Sequence, residues 1–154
     1  MKSHFKGDNM KKIMLSVILI LGLSSLVMAA KPTTPTSTDK AKYVTVEQAK
    51  ALFDKGVQFC DARKKFEYAQ EKIKGAISTF YNEKGGKKNK HVGWDTSKDK
   101  FDVSALPATC VYYCNGPTCW KSYKAAVIAQ KNGKEAYWLR TGIPAWKKAG
   151  YPTE

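Results

Sequence analysis

The sequence predicts one α/β domain, over residues 43–154, with a mainly parallel central sheet flanked by helices. Short apolar runs typical of strands alternate with segments of helical periodicity along this part of the chain, a pattern that favours a parallel sheet. The preceding residues 31–42 are rich in Pro, Thr and Ser, which predicts a flexible linker. The alternating elements and this boundary together define the domain.

The elements follow in a regular order. Thr45 and Gln48 form a capping-box pattern at the start of a helix that Gly56 is expected to end. Further helices are predicted at residues 66–70, 120–130 and 143–149, and strands at 57–60, near 77, at 110–113 and at 136–139. A polar stretch at 82–100, with His91 and Trp94, is too long for a simple connector, so we interpret it as either mobile or shaped for a task.

Residues 1–30 have the composition of an N-terminal extension and signal peptide, with Met10 as the natural start. Two lysines precede an apolar run at 13–27, and two alanines end the segment. The run is short for a membrane span of roughly 20 residues, although an uncleaved anchor is the alternative. We expect a periplasmic or secreted protein with no stable membrane anchor after cleavage.

The formal net charge of the chain is +14. Its lysines are scattered and do not alternate with aromatic residues in the manner of a strand-binding platform, so together with export the pattern excludes nucleic acid as a partner. We interpret this positive charge as one that steers small anionic substrates towards the protein.

The four cysteines raise the question of disulfides in an exported chain. Cys60 and Cys110 lie in apolar, strand-like runs and are interpreted as buried small hydrophobic residues. Cys114 and Cys119 bracket a short loop. A soft metal on these two with His91 is an alternative, but three ligands at this spacing do not form a zinc pattern. We therefore expect no metal and no cofactor.

Cys114 is the predicted nucleophile because it ends a strand, where ligands bind in parallel α/β folds. A helix N-terminus and inward-pointing backbone N–H groups both lower the pKa of a thiol. Gly116 and Pro117 favour a tight turn, and Lys121 adds a cation in the first turn of the following helix. The loop therefore has the features of an anion cradle.

Three groups of residues, in this order, resemble the rhodanese-like sulfurtransferase family. They are Asp61-Ala62-Arg63 with Glu67-Tyr68 and 73–76; 111–114 with Ser122 and Ala125-Ala126; and 142–146 with 149–152. The resemblance covers residues 43–154 and implies the family's three-layer fold.

The resemblance also implies a reaction. An anionic donor such as thiosulfate or polysulfide gives sulfur to a cysteine, and the persulfide passes it to cyanide, a thiol or a partner protein. The nucleophile falls on Cys114, while Asp61 and Arg63 brace the site and Glu67 is interpreted as a structural salt-bridge partner. The loop that would hold the persulfide comprises Asn115, Gly116, Thr118, Cys119, Trp120 and Lys121, with Pro117 as shape only.

This loop departs from the family pattern. If Ser122 matches the usual closing serine, the loop is longer than in common sulfurtransferases, as in related phosphatases and arsenate reductases. Those enzymes rely on a loop arginine, and Lys121 cannot clamp an oxyanion in the same bidentate way, which disfavours phosphatase chemistry. Lys72 and Thr141 replace a usual histidine and glycine without removing a reacting group.

Cys119 has three interpretations: a resolving thiol, a protective redox lock or a bystander. A tight loop can bring its Cα within the roughly 4.4–6.8 Å of Cys114 that a disulfide needs. An alternative function is therefore a non-catalytic rhodanese-like module that binds a partner, with the Cys114–Cys119 disulfide closed. A thiol–disulfide oxidoreductase is less favoured, because its usual motif separates the cysteines by two residues instead of four.

Overall fold

The structure is a computed structural model that describes residues 32–37, 39–84 and 99–154. The predictions made for the signal peptide, for His91 and for Trp94 lie outside these residues. Within the described part of the chain, no helix combines the length and apolar character needed to cross a membrane.

Strands and helices alternate, as predicted for an α/β domain. The strands are β1 (Lys42–Tyr43), β2 (Gln58–Asp61), β3 (Ile77–Ser78), β4 (Thr109–Tyr113) and β5 (Glu135–Leu139). The helices are α1 (Val46–Asp54), α2 (Lys65–Gln70), α3 (Trp120–Lys131) and α4 (Gly142–Lys148). All of these strands run parallel, in the order β1-β5-β4-β2-β3, which confirms the predicted sheet.

The first helix begins where its capping residues dictate. Thr45 Oγ1 accepts from the Gln48 N–H at 3.2 Å, and the Thr45 N–H donates to Gln48 Oε1 at 2.9 Å. These two bonds satisfy backbone donors that the first helical turn leaves unpaired. Gly56, with a φ of 78°, turns the chain after α1 towards β2.

The central strand β4 separates two apolar cores. Cys110 and Tyr112 pack with α3 on one face of the sheet, whereas Val111 and Tyr113 pack on the other face with residues of α1 and α4. This division follows from the alternation of side chains along a strand. Helices therefore cover both faces, and the fold has the three layers expected.

Cys60 and Cys110 correct the sequence interpretation. Both are buried, at 0% and 1% exposure, but they form a disulfide with their Cα atoms 6.1 Å apart. In the parallel register Cys60 lies opposite Tyr112, and Cys110 lies opposite Gln58. The cysteines are therefore diagonal neighbours on one face of adjacent strands, where a disulfide can join them.

The linker predicted at 31–42 also differs from the structure. Lys42 belongs to β1 and pairs with Tyr137 of β5, and Ala41 is 3% exposed. Thr34 is 2% exposed. The expectation of a flexible linker is therefore corrected at these positions, because the open edge of β5 pairs with β1 and the domain surface binds Thr34.

The ends of the polar stretch 82–100 lie together. Asn82 and Lys100 form an antiparallel bridge, with N–H to O distances of 3.0 and 2.9 Å. Beside it, Lys124 of α3 forms ion pairs with Glu83 at 2.8 Å and Asp99 at 3.5 Å. These contacts tie both ends of the stretch to the domain.

The adjacent residues Tyr112 and Tyr113 provide a matched test of this core. The Tyr113 hydroxyl donates to Asp61 Oδ2 at 2.8 Å and accepts from the Ile73 N–H at 3.2 Å. The buried Tyr112 hydroxyl has no hydrogen-bond partner among the described residues. We expect Tyr113→Phe to lower the free energy of unfolding by about 1–3 kcal/mol, because buried polar groups lose their partner.

Tyr112→Phe should leave the free energy of unfolding unchanged or raise it, because no hydrogen bond is lost. Urea denaturation of both variants under non-reducing conditions measures the difference. Equal destabilisation by the two substitutions would contradict the difference in hydrogen bonding between the two hydroxyls.

Candidate active site

The cysteine loop, residues 114–119, connects β4 to α3. Cys114 directly follows β4, and Cys119 is the N-cap residue of α3. The Cys119 N–H donates to the Gly116 carbonyl at 2.9 Å, which closes a tight turn. Gly116 has a φ of 117°, a conformation that favours glycine because it has no Cβ.

Cys114 and Cys119 form a second disulfide, with their Cα atoms 6.2 Å apart. Cys114 is 1% exposed, whereas Cys119 is partly exposed. The structure therefore holds the loop in its oxidised form. A thiolate at Cys114 requires that this bond first be reduced.

The N-terminus of α4 packs directly against the loop backbone. The Ile143 N–H donates to the Cys114 carbonyl at 3.0 Å. Gly142 has a φ of 65°, and a Cβ built on it would lie 2.7 Å from the Gly116 nitrogen and closer still to the Cys114 carbonyl. A glycine is required here both for its φ and for the close approach of the two backbones.

Glu67 holds the loop from the side of α2. Its carboxylate accepts from Asn115 Nδ2 at 2.5 Å and from the Lys64 N–H at 3.1 Å. Partial burial acts to raise the pKa of Glu67, but these two hydrogen bonds, together with the positive charges of Arg63 and Lys121, lower the pKa overall. Glu67 thus anchors the loop through Asn115. Among the described residues it forms no salt bridge, which differs from the sequence interpretation.

Asp61 ends β2 beside Tyr113, the last residue of β4, and Arg63 follows two residues later. Asp61 is 0% and Arg63 6% exposed. Arg63 donates through Nε at 2.9 and 3.0 Å and through Nη2 at 2.6 Å to the Asp61 carboxylate, and Nη2 also donates to the Glu71 carbonyl. Asp61 accepts from Tyr113 as well. Burial, followed by the Asp61 charge, raises the pKa of Tyr113 and keeps its hydroxyl protonated.

Lys121 lies in the first turn of α3, beyond the loop. Its ammonium lies 5.3 Å from the centre of the Phe80 ring. Partial burial lowers the pKa of Lys121, while the charges of Glu83 and Glu67 act in the opposite direction. This cation is therefore partly desolvated, which strengthens its interaction with an anion compared with a fully hydrated lysine.

Residues 32–34, called the N-terminal strap here, lie across the cysteine loop. The Thr34 N–H and Oγ1 both donate to the Pro117 carbonyl, at 2.8 and 2.9 Å. Trp120 Nε1 donates to the Pro32 carbonyl at 3.2 Å. Arg140 Nη2 donates to the Thr34 carbonyl at 3.0 Å, and Arg140 Nε to Thr34 Oγ1 at 3.1 Å.

Sequence reasoning missed Thr34 and Arg140. They are 83 and 106 positions away in sequence from the groups they contact, so no local pattern reveals them. Ser122, considered as a loop-closing serine, is instead 1% exposed and its Oγ accepts from Trp138 Nε1 in the core. The structure brings residues 114–119 together in one loop and pairs Asp61 with Arg63 and with Tyr113, the residue before the loop.

The domain combines a parallel sheet, flanked by helices, with a cysteine loop between the central strand and the N-terminus of a helix. These features place the protein in the class of α/β domains that carry a cysteine at the carboxyl end of the central strand. The model of the rhodanese-like domain family matches residues 45–149, more than half of the chain. The chain belongs to this family.

Solved structures share the fold. A protein from Bacillus halodurans is 18% identical with a TM-score of 0.54, covering 95% of this chain and 86% of that chain. The rhodanese-like domain of an Anabaena protein is 20% identical with a TM-score of 0.50, covering 73% of this chain and 77% of that chain. A Rhodopseudomonas palustris protein of unknown function, described as a possible tyrosine phosphatase, is 25% identical with a TM-score of 0.53, covering 80% and 98%. A search of curated proteins finds no significant match.

Gly142→Ala, with Gly150→Ala as its matched control, tests the contact between α4 and the loop. Both glycines have positive φ values, 65° and 72°, but a Cβ at position 150 meets no described atom within 4 Å. We expect Gly150→Ala to cost only the conformational penalty of about 1–2 kcal/mol. Gly142→Ala should cost more, because the Cys114 and Gly116 backbones must also move.

Urea denaturation gives the two unfolding free energies. Alkylation of the reduced protein gives the rate at which Cys114 reacts, which Gly142→Ala should change and Gly150→Ala should not. Identical effects of the two substitutions on stability and on alkylation would refute the contact.

Proposed function

We propose that this protein is an exported sulfurtransferase that moves sulfane sulfur from thiosulfate or polysulfide to a thiophilic acceptor through a Cys114 persulfide. Membership of the rhodanese-like family supports sulfurtransferase-type chemistry at a coarse level. The observation that carries the proposal is the position of Cys114, between the end of the central strand β4 and the N-terminal end of α3. Export rests on the composition of residues 1–30.

The reaction begins with the reduced loop. The Cys114 thiolate attacks the outer sulfur of thiosulfate, the sulfur–sulfur bond of the donor breaks, and sulfite leaves with the bonding electron pair. A thiolate or cyanide then attacks the outer sulfur of the persulfide, and Cys114 is released as a thiolate. Each step exchanges one bond of sulfur for another, so no external oxidant or reductant is consumed in the transfer itself.

The charge on sulfur is stabilised by the surroundings of the loop. The α3 helix is 12 residues long, and the positive end of its dipole favours an anion at its N-terminus. Lys121 adds a partly desolvated cation in the same turn. These two features favour the thiolate and persulfide forms of Cys114 over their protonated forms.

Asp61 and Arg63 act on the position of Cys114 instead of on the substrate. The Arg63 guanidinium is engaged by the Asp61 carboxylate and the Glu71 carbonyl, and Tyr113, the residue before Cys114, also donates to Asp61. The cluster therefore holds the end of β4 in place. This arrangement supports the bracing role that the family resemblance implies.

A second candidate is a non-catalytic rhodanese-like module that binds a partner. The specific observation in its favour is the closed Cys114–Cys119 disulfide, which occupies the sulfur that catalysis needs. In this case the loop disulfide is a structural bond, and the surface around it serves for binding.

Intact mass spectrometry tests the persulfide. Cys119→Ser protein, reduced mildly and incubated with thiosulfate or polysulfide, should gain the mass of one sulfur atom, because Cys114 is then the one loop thiol and holds the sulfur as a persulfide. Subsequent addition of cyanide should remove that sulfur as thiocyanate. Cys114→Ser serves as the control and should gain nothing. If Cys119→Ser also stays unmodified with every donor, the sulfurtransferase proposal fails.

Differential thiol labelling separates the two candidate functions. Cys119 is partly exposed, whereas Cys60 and Cys110 are 0% and 1% exposed. We expect mild reductant to free Cys114 and Cys119 in the folded protein while the Cys60–Cys110 disulfide stays closed, because exchange requires access to a sulfur. Peptide mapping after alkylation identifies the freed cysteines. A loop disulfide that opens only on unfolding would favour the binding module.

A further inference from the structure

We propose that Cys119 resolves the Cys114 persulfide, so that the protein releases sulfide and ends each turnover with the Cys114–Cys119 disulfide, which a dithiol reductant then reopens by attack at Cys119. This inference rests on the proposed sulfurtransferase function and extends it to a second activity, the reduction of sulfane sulfur to sulfide.

The reach of Cys119 is the first observation that carries the inference. The Cα atoms of Cys114 and Cys119 are 6.2 Å apart and their sulfur atoms are bonded. The loop is held by bonds that do not involve sulfur, from the Cys119 N–H to the Gly116 carbonyl and from the Ile143 N–H to the Cys114 carbonyl. These bonds keep the two cysteines together when the disulfide is open.

The resolving step balances without another reactant. The Cys119 sulfur attacks the Cys114 sulfur, a bond between the two cysteine sulfurs forms, and the bond from Cys114 to the outer sulfur breaks. The outer sulfur leaves as hydrosulfide, with the bonding electron pair and the proton of the Cys119 thiol. The sulfane sulfur is thereby reduced by two electrons, and the two cysteines are oxidised to the disulfide.

The unequal exposure of the two cysteines determines which sulfur of the disulfide the reductant attacks. Cys114 is 1% exposed, whereas Cys119 is partly exposed. Access determines which sulfur of a disulfide is attacked, so an external thiolate bonds to Cys119 and Cys114 leaves as the thiolate. The second thiol of the dithiol then attacks the mixed disulfide, which frees Cys119 and oxidises the reductant to its own disulfide.

The buried Cys60–Cys110 disulfide does not take part in this exchange. Both of its cysteines are at most 1% exposed and lie within the sheet, between β2 and β4. The protein therefore contains one disulfide that cycles and one that does not. The second provides an internal control for the extent of reduction.

A single-turnover experiment on the full protein tests the resolving step. Protein with a reduced loop, freed of the reductant, is given thiosulfate, whose leaving group is sulfite. With no external thiol present to attack the persulfide, any sulfide that appears comes from resolution. Wild type should release sulfide equal in amount to the protein and return to the mass of the disulfide form. Cys119→Ser and Cys119→Ala should keep the added sulfur and release no sulfide.

The outcomes distinguish failure of the proposed sulfurtransferase function from failure of the resolving role of Cys119. If neither Cys119 variant gains sulfur, the sulfurtransferase function fails and the resolving role falls with it. If the variants gain sulfur and wild type keeps it equally long without releasing sulfide, the transferase stands and the resolving role is overturned. Sulfur found intact on the Cys119 peptide of wild type would also overturn it, because the sulfur would have moved without being reduced.

Reaction with the monothiol glutathione tests which sulfur of the loop disulfide is attacked. The wild-type disulfide form is mixed with glutathione, and the reaction is quenched with acid. The mixed disulfide should map to the Cys119 peptide, with Cys114 alkylated as the free thiol. Glutathione found on Cys114 would overturn the assignment of Cys119 as the point of attack.

Discussion

The site depends on the parallel register between β2 and β4. This register places Asp61 opposite Tyr113 at the carboxyl end of both strands, so that the buried carboxylate accepts from Tyr113 and from Arg63. A buried charge is tolerated only when such partners satisfy it. A shift of one residue would move Tyr113 to the opposite face of the sheet and remove this partner from Asp61. The position of Cys114, one residue further, follows from the same constraint.

Backbone hydrogen bonds hold the cysteine loop alongside its side-chain contacts. The Cys114 and Pro117 carbonyls accept from Ile143 and Thr34, and the Gly116 carbonyl accepts from Cys119. Because these bonds leave the sulfurs uninvolved, the loop can keep its shape while the sulfur chemistry changes. The close approach of Gly142 to the loop also supports the loop without involving sulfur, because it places α4 against the loop backbone with no side chain between them.

Local signals explain why much of the fold could be predicted. The capping box at Thr45, the turn at Gly56 and the position of Cys114 after a strand depend on neighbours in sequence. The Cys60–Cys110 disulfide does not, because it requires the register of two strands 50 positions apart. The position of the strap could not be predicted either, because Thr34 contacts Arg140, 106 positions away in sequence. The strand β1 was missed because two residues are too few to show periodicity.

The two disulfides have opposite consequences in an oxidising compartment. In the chain-entropy description, a bond across 50 positions contributes about 4 kcal/mol to stability and one across 5 positions about 2 kcal/mol. The buried Cys60–Cys110 bond thus gives more stability and is less accessible to thiols. The loop bond gives less and blocks the proposed nucleophile. An environment that maintains the first also closes the second. The proposed sulfur transfer in an exported protein would therefore require a source of reducing equivalents that opens only the accessible bond.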